Sequence, residues 1–459
     1  MSSESQDFAA AFRVFLEDMR AQAPAVVSPL REHLQDLFGV DPSTLALVSE
    51  EHPSYDLPNV QLAIEQIVAS DGIEARTIGI VPDRNMCGDL GNNIVSPPNR
   101  PGESVPQEGP MTYSNVHLHD QQVLPCARLA MHLIKTPESA HAMFVSVENR
   151  GTMTVVTVQA MAAERARAVA LLADFRERMR ALDVYKGHVL TVTATFMEGL
   201  KIEFARMPEI RREDVILPEG IMDRLEQQTV QFSEHADGLR SSGFHLKRGM
   251  LLFGPPGTGK TLTTMYLASV AEGRTVILLY GQQFASMADA CAVARRLQPA
   301  MVIMEDVDLI AEDRETNASS GQLHDLLHAM DGLEGDADIQ FILTTNRVDV
   351  LEKALRERPG RVDLAVEIPL PDADCRRRIF ELFCSRVTVA VPDFEDWVQR
   401  TAGASATFIR ELVRRAALAS SQEGGSIRLE QRHFDHAIRE LLEVGGDLTR
   451  RLLGFGKES

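Results

Sequence analysis

The 459-residue chain has few cysteines, no long apolar run and no excess of positive charge, and each absence removes a class of protein. Its five cysteines, Cys87, Cys126, Cys291, Cys375 and Cys384, include no C-x-x-C pair. An odd, scattered set argues against a disulfide framework or a zinc ribbon and predicts a reducing, cytoplasmic setting. No window approaches the roughly 18 uninterrupted apolar residues of a membrane-spanning helix. The apolar run 168–173 is hemmed by Arg165, Arg167 and Asp174. Acids at Glu4, Asp7, Glu17 and Asp18 argue against a secretory leader. With 47 Lys and Arg against 66 Asp and Glu, the formal net charge of −19 disfavours a protein that coats nucleic acid. The chain has neither an internal repeat nor a low-complexity tract.

What is present is a globular composition, 44% apolar and 25% charged, with a mean hydropathy of −0.11. The length suits about three domains at ~150 residues each. Residues 6–38 read as two helices, with Phe8, Phe12, Phe15 and Met19 at helical spacing. Runs 77–81, 143–147 and 153–158 are rich in β-branched residues and read as strands. Between them, 84–111 carries Pro97, Pro98, Pro101, Pro106 and Pro110 and reads as a loop. A charged helix over 162–182 and a hairpin of 189–196 with 200–204 follow, so residues 1–205 are expected to form an α+β domain. From residue 215 the texture changes. Five apolar runs, 249–253, 275–280, 301–304, 339–343 and 364–368, alternate with helical stretches. Such runs predict an α/β fold with a five-stranded parallel sheet covered on both faces. After Pro371 the pattern is helical to about 442, a small all-α domain.

Gly254-Pro255-Pro256-Gly257-Thr258-Gly259-Lys260-Thr261 satisfies G-x-x-x-x-G-K-[ST] after a strand and at the opening of a helix. The glycines let backbone N–H groups converge on phosphate oxygens where a Cβ would collide. Lys260 supplies charge to the β- and γ-phosphates, and the Thr261 hydroxyl is a Mg²⁺ ligand. Leu262, the next residue, completes the nucleotide-binding set. The strand 301–304 ends in Glu305 and Asp306, the acids that such a loop needs for Mg²⁺ and for polarising water. By position Glu305 sits near Mg²⁺, through water, and Asp306 near the attacking water; the order is Glu-Asp rather than the commoner Asp-Glu. A further buried strand ends at Asn346, which can orient water or touch the γ-phosphate. Arg358 and Arg361 flank a Pro-Gly turn, and their planar forks suit phosphate. His117, His119 and Asp120 lack a further well-spaced ligand and do not make a metal site.

In this order and spacing, residues 254–261, Glu305 and Asp306, Asn346, and Arg358 with Arg361 resemble an AAA+ ATPase module of the AAA subgroup, over roughly 213–445. The resemblance implies a P-loop NTPase domain at 249–371, an α-helical lid at 372–445, a linker and helix at 206–248 and a tail at 446–459. It implies ATP and Mg²⁺ as cofactors, Asn346 as a sensor, and Arg358 or Arg361 as fingers reaching a neighbouring subunit's nucleotide. The segment Gly403-Ala404-Ser405-Ala406 resembles the second-sensor segment of the lid, without the sensor arginine. Within the family, the Glu-Asp order, the lead-in 216–220 with 247–249 and the segment 326–332 look most like the clade that translocates the folded Rieske iron–sulfur protein. This chain departs from that clade by having no membrane helix.

These features predict a self-assembling ring, six subunits or seven, that hydrolyses ATP to remodel a protein client. An ATP-gated scaffold is the alternative, and a nucleic-acid motor a third. Tyr280-Gly281 ends a strand and reads as core, and segment 282–287 is too short for the aromatic finger of peptide-threading relatives. Phe284 and Met287 either edge a central opening or pack against the sheet. Client recognition is therefore expected in residues 1–205.

Overall fold

The computed structural model describes residues 12, 14, 15, 28–81, 89–95, 105–151, 153–195, 199–309, 337–349, 362–391, 393–424 and 426–441. Two compact units divide the chain, one holding 1–184 with 195–201, the other 185–194 with 202–459.

The first unit opens with α1 (Pro29–Phe38), which stops at Gly39, a left-handed cap with φ of 70°. Then come β1 (Ala46–Pro53), α2 (Leu57–Val68), β2 (Glu74–Val81), α3 (Leu90–Val95), β3 (Gln107–Gly109), β4 (Tyr113–His117) and β5 (Val123–Ala127). The unit closes with β6 (Leu129–Lys135), β7 (Ala140–Arg150), β8 (Met153–Ala162) and α4 (Arg165–Ala181). Six strands pair in the order β1-β8-β7-β6-β2-β3. Side chains alternate across this sheet, as a period of two requires. Met143 and Val145 of β7 meet α2 and α4 through Ile64, Leu172 and Phe175. Ala142 and Phe144 face the opposite way, toward Leu30 and Leu34 of α1 and Ile94 of α3.

The α+β expectation for this region holds in class, and the structure corrects its detail. The stretch read as the loop 84–111 contains α3 and β3. Its five prolines all follow α3 in the chain, so none interrupts the helix. Strand β1 is hard to read because its Ser49, Glu50, Glu51 and His52 give no β-branched run.

The second sheet takes in β9 (Val189–Thr195) and β10 (Gly199–Phe204), then β11 (Arg248–Phe253), and the helices α5 (Lys260–Val270) and α6 (Met287–Arg296) flank β12 (Thr275–Tyr280) in the chain. Strands β13 (Ala300–Glu305), β14 (Ile339–Thr345) and β15 (Leu364–Glu367) complete it. The five expected strands lie side by side as β12-β13-β14-β11-β15, and their pairings are parallel. Two more strands extend this sheet. Strand β9 pairs parallel with β12 and β10 lies beyond it, so the described sheet has seven strands rather than five. The hairpin that the sequence assigns to the N-terminal domain thus supplies an edge of the second sheet.

The starts of β11, β12 and β14 are tied by buried charge. Arg274 donates to Asp338 at 2.8 Å. Arg248 lies 3.9 Å over the Phe232 ring centroid, and burial pushes its guanidinium down to about 10. The opposite, C-terminal ends of these strands are where open α/β sheets bind ligands.

Among the described residues four helices form the lid: α7 (Ala373–Cys384), α8 (Glu395–Arg400), α9 (Ala406–Gln422) and α10 (Gln431–Arg439). Phe380, Trp397, Phe408 and Phe434 fill its core. Asp372 and Ser405 cap α7 and α9 by accepting from the backbone N–H groups of Cys375 and Phe408. The all-α expectation needs one correction. Thr388–Val389 and Arg428–Leu429 pair as two-residue parallel strands β16 and β17, too short to show in a sequence pattern.

Candidate functional site

Strand β11 runs straight into the glycine-rich loop, and α5 starts at Lys260. Gly254, Gly257 and Gly259 have φ of 148°, 77° and 103°, values that favour glycine. A Cβ on Gly254 would lie 2.2 Å from the Ile368 carbonyl oxygen, and one on Gly257 would lie 2.9 Å from Ser405 Oγ. At Gly254 and Gly257 the loop therefore has space for backbone and none for a side chain. Thr258 is buried and its hydroxyl donates to the Pro255 carbonyl at 3.0 Å. Lys260 is also buried. Its Nζ donates to the carbonyls of Gly254 and Pro255, each at 2.9 Å, and to Asn346 Oδ1 at 2.7 Å. Burial pulls its ammonium below the ordinary lysine range, while the charges of Asp306 and Asp308 act the other way.

Glu305, the last residue of β13, is gripped by two hydroxyls. Thr261 Oγ1 donates to one carboxylate oxygen and Thr264 Oγ1 to the other, each at 3.2 Å. Burial raises the Glu305 carboxyl above its usual range; the two threonine bonds lower it, and the Asp306 charge raises it again. Asp306 leaves the strand with φ of 54°. Its N–H donates to Thr344 Oγ1 at 3.0 Å, and its Oδ1 accepts from Asn346 Nδ2 at 3.0 Å. One amide thus connects Lys260 to Asp306. Asn346 is itself held from behind, because buried Asp308 accepts from its N–H at 3.2 Å and from Thr345 Oγ1 at 2.9 Å.

These groups surround a cleft of about 460 Å³. Of the expected site residues, Pro256, Gly257, Gly259, Lys260, Thr261, Leu262, Asp306 and Asn346 line it. Gly254, Pro255 and Thr258 shape the loop, and Glu305 sits against Thr261. Arg358, Arg361 and the segment 326–332 lie outside the described residues. Four residues join the site that the sequence motifs do not name. Thr264 lies one helical turn from Thr261 and shares its face, a signal that spacing carries. Asp308 is a third acid after the strand. Thr407 and Arg410 come from the lid helix α9, and their position in the cleft follows from tertiary packing alone.

The same cleft tests whether ATP and Mg²⁺ fit. The donor set is a buried ammonium, a helix N-terminus of backbone N–H groups and a hydroxyl beside a carboxylate. That set suits a polyphosphate and a hard divalent cation. A second, mostly apolar cleft of about 560 Å³ shares Leu262 and Arg410 with the first and is lined by Ile210, Leu382 and Phe383.

Residues 250–370 match the ATPase family associated with various cellular activities, AAA. The chain carries an AAA ATPase domain. This AAA domain is an enzyme module that hydrolyses ATP and works with Mg²⁺. The chain is 31% identical over 247 residues to the human ATPase family gene 2 protein homolog A, a match covering 50% of this chain and 28% of that protein. It is 30% identical over 236 residues to a probable 26S proteasome regulatory subunit 6B of Caenorhabditis elegans, covering 47% and 56%. It is 32% identical over 255 residues to proteasome-activating nucleotidase 1 of Halobacterium salinarum, covering 51% and 61%. The chain thus spans between 28% and 61% of these relatives' lengths. Among the described residues, no helix near the AAA domain or elsewhere is long and apolar enough to cross a membrane.

The region expected to grip or frame a client is also visible. Phe284 and Met287 are buried, so they pack against the sheet. Tyr280, read as core, is instead 39% exposed. It is the last residue of β12 beside Glu305, where the sheet ends and solvent begins.

Proposed function

We propose that the chain is a subunit of a homo-oligomeric ring, six copies in the simplest case, that couples ATP hydrolysis to remodelling of a protein client. The supporting observation is the continuous contact from Lys260 through Asn346 to Asp306, with Glu305 gripped beside it by Thr261 and Thr264. Mg²⁺, when bound, would supply positive charge against the charge that develops on the phosphates. Thr261 and Glu305 are the groups that would hold it, the acid through water. Lys260 fixes the phosphates, Asn346 aims Asp306, and Asp306 orients the attacking water. Half-buried Glu305 keeps its carboxylate pointed at the helix start through its two hydroxyl donors. Arg358 and Arg361 are assigned to the neighbouring subunit's nucleotide, because a finger in trans makes hydrolysis depend on assembly.

The client is a protein, in keeping with the proteasome-related names among the relatives, and the net charge of −19 argues against nucleic acid. With Phe284 and Met287 buried, the described part of segment 282–287 presents no aromatic finger. That absence and the Glu-Asp order ally the module with the Rieske-protein translocase clade, so a folded client received through residues 1–205 fits best. A reducing, cytoplasmic setting agrees with the buried Cys126, Cys291, Cys375 and Cys384, whose thiols burial pushes up to about 12.

Asp306→Asn tests the assignment. ATP binding should remain, while turnover should fall by roughly 10²–10⁴, the usual worth of a water-orienting or general-base residue. If Glu305→Gln retains ATP without turnover and Asp306→Asn turns over normally, the two roles are interchanged. ATP-dependent assembly with negligible turnover in the unmodified protein would make it a scaffold. Stimulation by nucleic acid with a steep salt slope would make it a nucleic-acid motor.

A further inference from the structure

Helix α5 offers Glu305 two hydroxyls, one turn apart. Thr261, the second residue of the helix, donates to Oε2, and Thr264 donates to Oε1, each at 3.2 Å. Residues three apart on a helix share a face. The carboxylate therefore lies lengthwise along α5, with Oε2 toward the helix start and Oε1 turned toward its interior. Thr261 belongs to the phosphate-loop motif and Thr264 does not. Thr264 is fully buried, and its hydroxyl is also 2.9 Å from the Thr261 carbonyl oxygen. One proton thus has two acceptors within reach, and an ionised carboxylate is the stronger of them. Aspartate at 305, one methylene shorter, would extend less far along the helix toward Thr264.

Only Oε2 is presented to the helix start, where the phosphates and their cation belong. Calcium accepts carboxylates through one or both oxygens in a flexible shell. Magnesium is smaller, demands octahedral geometry and keeps several of its waters. A carboxylate with one oxygen tied back cannot chelate with both. Resting on the ATP and Mg²⁺ reading above, we infer that Thr264 is a positioning residue that restrains Glu305 to a one-oxygen, water-mediated contact and so makes the site prefer Mg²⁺ to Ca²⁺. It acts through Glu305 rather than on the nucleotide.

The experiment titrates the full-length protein with a non-hydrolysable ATP analogue by calorimetry, across a series of Mg²⁺ concentrations and again across Ca²⁺. Thr264→Val, Thr264→Ser and Ser269→Ala are compared with the unmodified protein, and steady-state turnover is followed alongside. Thr264→Val keeps much of the side chain's shape and removes its hydroxyl. The Mg²⁺ concentration that gives half of the full gain in affinity should rise roughly 10-fold, the lower end of what partners of metal ligands are worth. The Ca²⁺ midpoint should stay or fall. Thr264→Ser should restore the Mg²⁺ midpoint, since the hydroxyl returns. Ser269 makes the same kind of bond to the helix backbone, donating to the Tyr266 carbonyl at 2.7 Å, so Ser269→Ala should match the unmodified protein. In a Glu305→Ala background Thr264→Val should move neither midpoint further, because the group it acts through is gone. An unshifted Mg²⁺ midpoint would overturn the inference, and so would equal weakening for both cations or an undiminished effect in the Glu305→Ala background. Thr264→Ala supplies the same readout if valine is not accommodated in the fold. An unmodified protein that does not bind the analogue, or binds it without regard to either cation, would instead overturn the nucleotide and metal reading beneath.

Discussion

Asp306 holds a backbone conformation, φ of 54°, that few L-residues adopt. Aspartate and asparagine enter this left-handed region more readily than most other side chains, because their short polar groups can bond locally. Asp306→Asn therefore removes the charge while leaving the turn intact. A longer residue there, including the glutamate of the commoner Asp-Glu order, would meet both strain and a displaced carboxylate. Elsewhere, one buried histidine contributes to the pH dependence of stability. His132 of β6 is buried, with Nδ1 3.0 Å from Thr77 Oγ1, and burial pushes its imidazole from 6.5 down to about 4. The unfolded chain then binds the proton more tightly. Stability from the neutral ring is fully present above pH 6.5 and is lost as pH falls through that value toward 4. A difference of this size corresponds to something on the order of 3 kcal/mol. Urea unfolding of the unmodified protein and of His132→Leu between pH 7.5 and 4.5 checks it. The gap between the two should shift in favour of His132→Leu as acid is added, and a constant gap would refute the assignment.

Strand β9 changes where the AAA domain must begin. Val276 donates its N–H to the His188 carbonyl at 3.0 Å, and Gly187 donates to Thr275 Oγ1 at 3.0 Å. At the far end Ala194 donates to Ser286 Oγ at 2.7 Å, and Leu190 and Val192 are fully buried. A chain starting at residue 206, the boundary that the sequence suggests, exposes the edge of β12 and the apolar surface under β9. It should melt well below a chain starting at residue 185 and should aggregate, since two buried aliphatic side chains alone are worth roughly 3–6 kcal/mol. Equal melting temperatures would show that β9 contributes nothing. The reason for the misplaced boundary is physical. The composition of Val189, Leu190, Thr191 and Val192 announces a strand, but nothing local announces its partner. By contrast, β11 to β14 are buried on both faces and read as continuous apolar runs, and the phosphate loop and the Glu305–Asp306 pair are contiguous at strand ends. Thr407 and Arg410 reach the site because the lid folds back over 150 residues after Gly257, a distance along the chain that no motif spans.

In the whole molecule, assembly is open to a complementation test. A finger supplied in trans is worth on the order of 10³–10⁵ in related phosphoryl transfers. Arg358→Ala and Lys260→Ala should each be nearly inactive alone. Mixed, they should regain turnover, because an intact loop can then face an intact arginine in the next subunit. Failure of every such mixture, with Arg361→Ala tried in place of Arg358→Ala, would end the ring proposal. The added sheet edge also has a consequence for the nascent chain. Val189 pairs with Val276, 87 residues later. At synthesis rates of ~5–20 residues per second, β9 leaves the ribosome roughly 4–17 s before its partner exists. For that interval a run of valine, leucine and threonine has no edge to join within its own chain. Neighbouring nascent chains of the same protein then offer it an identical one.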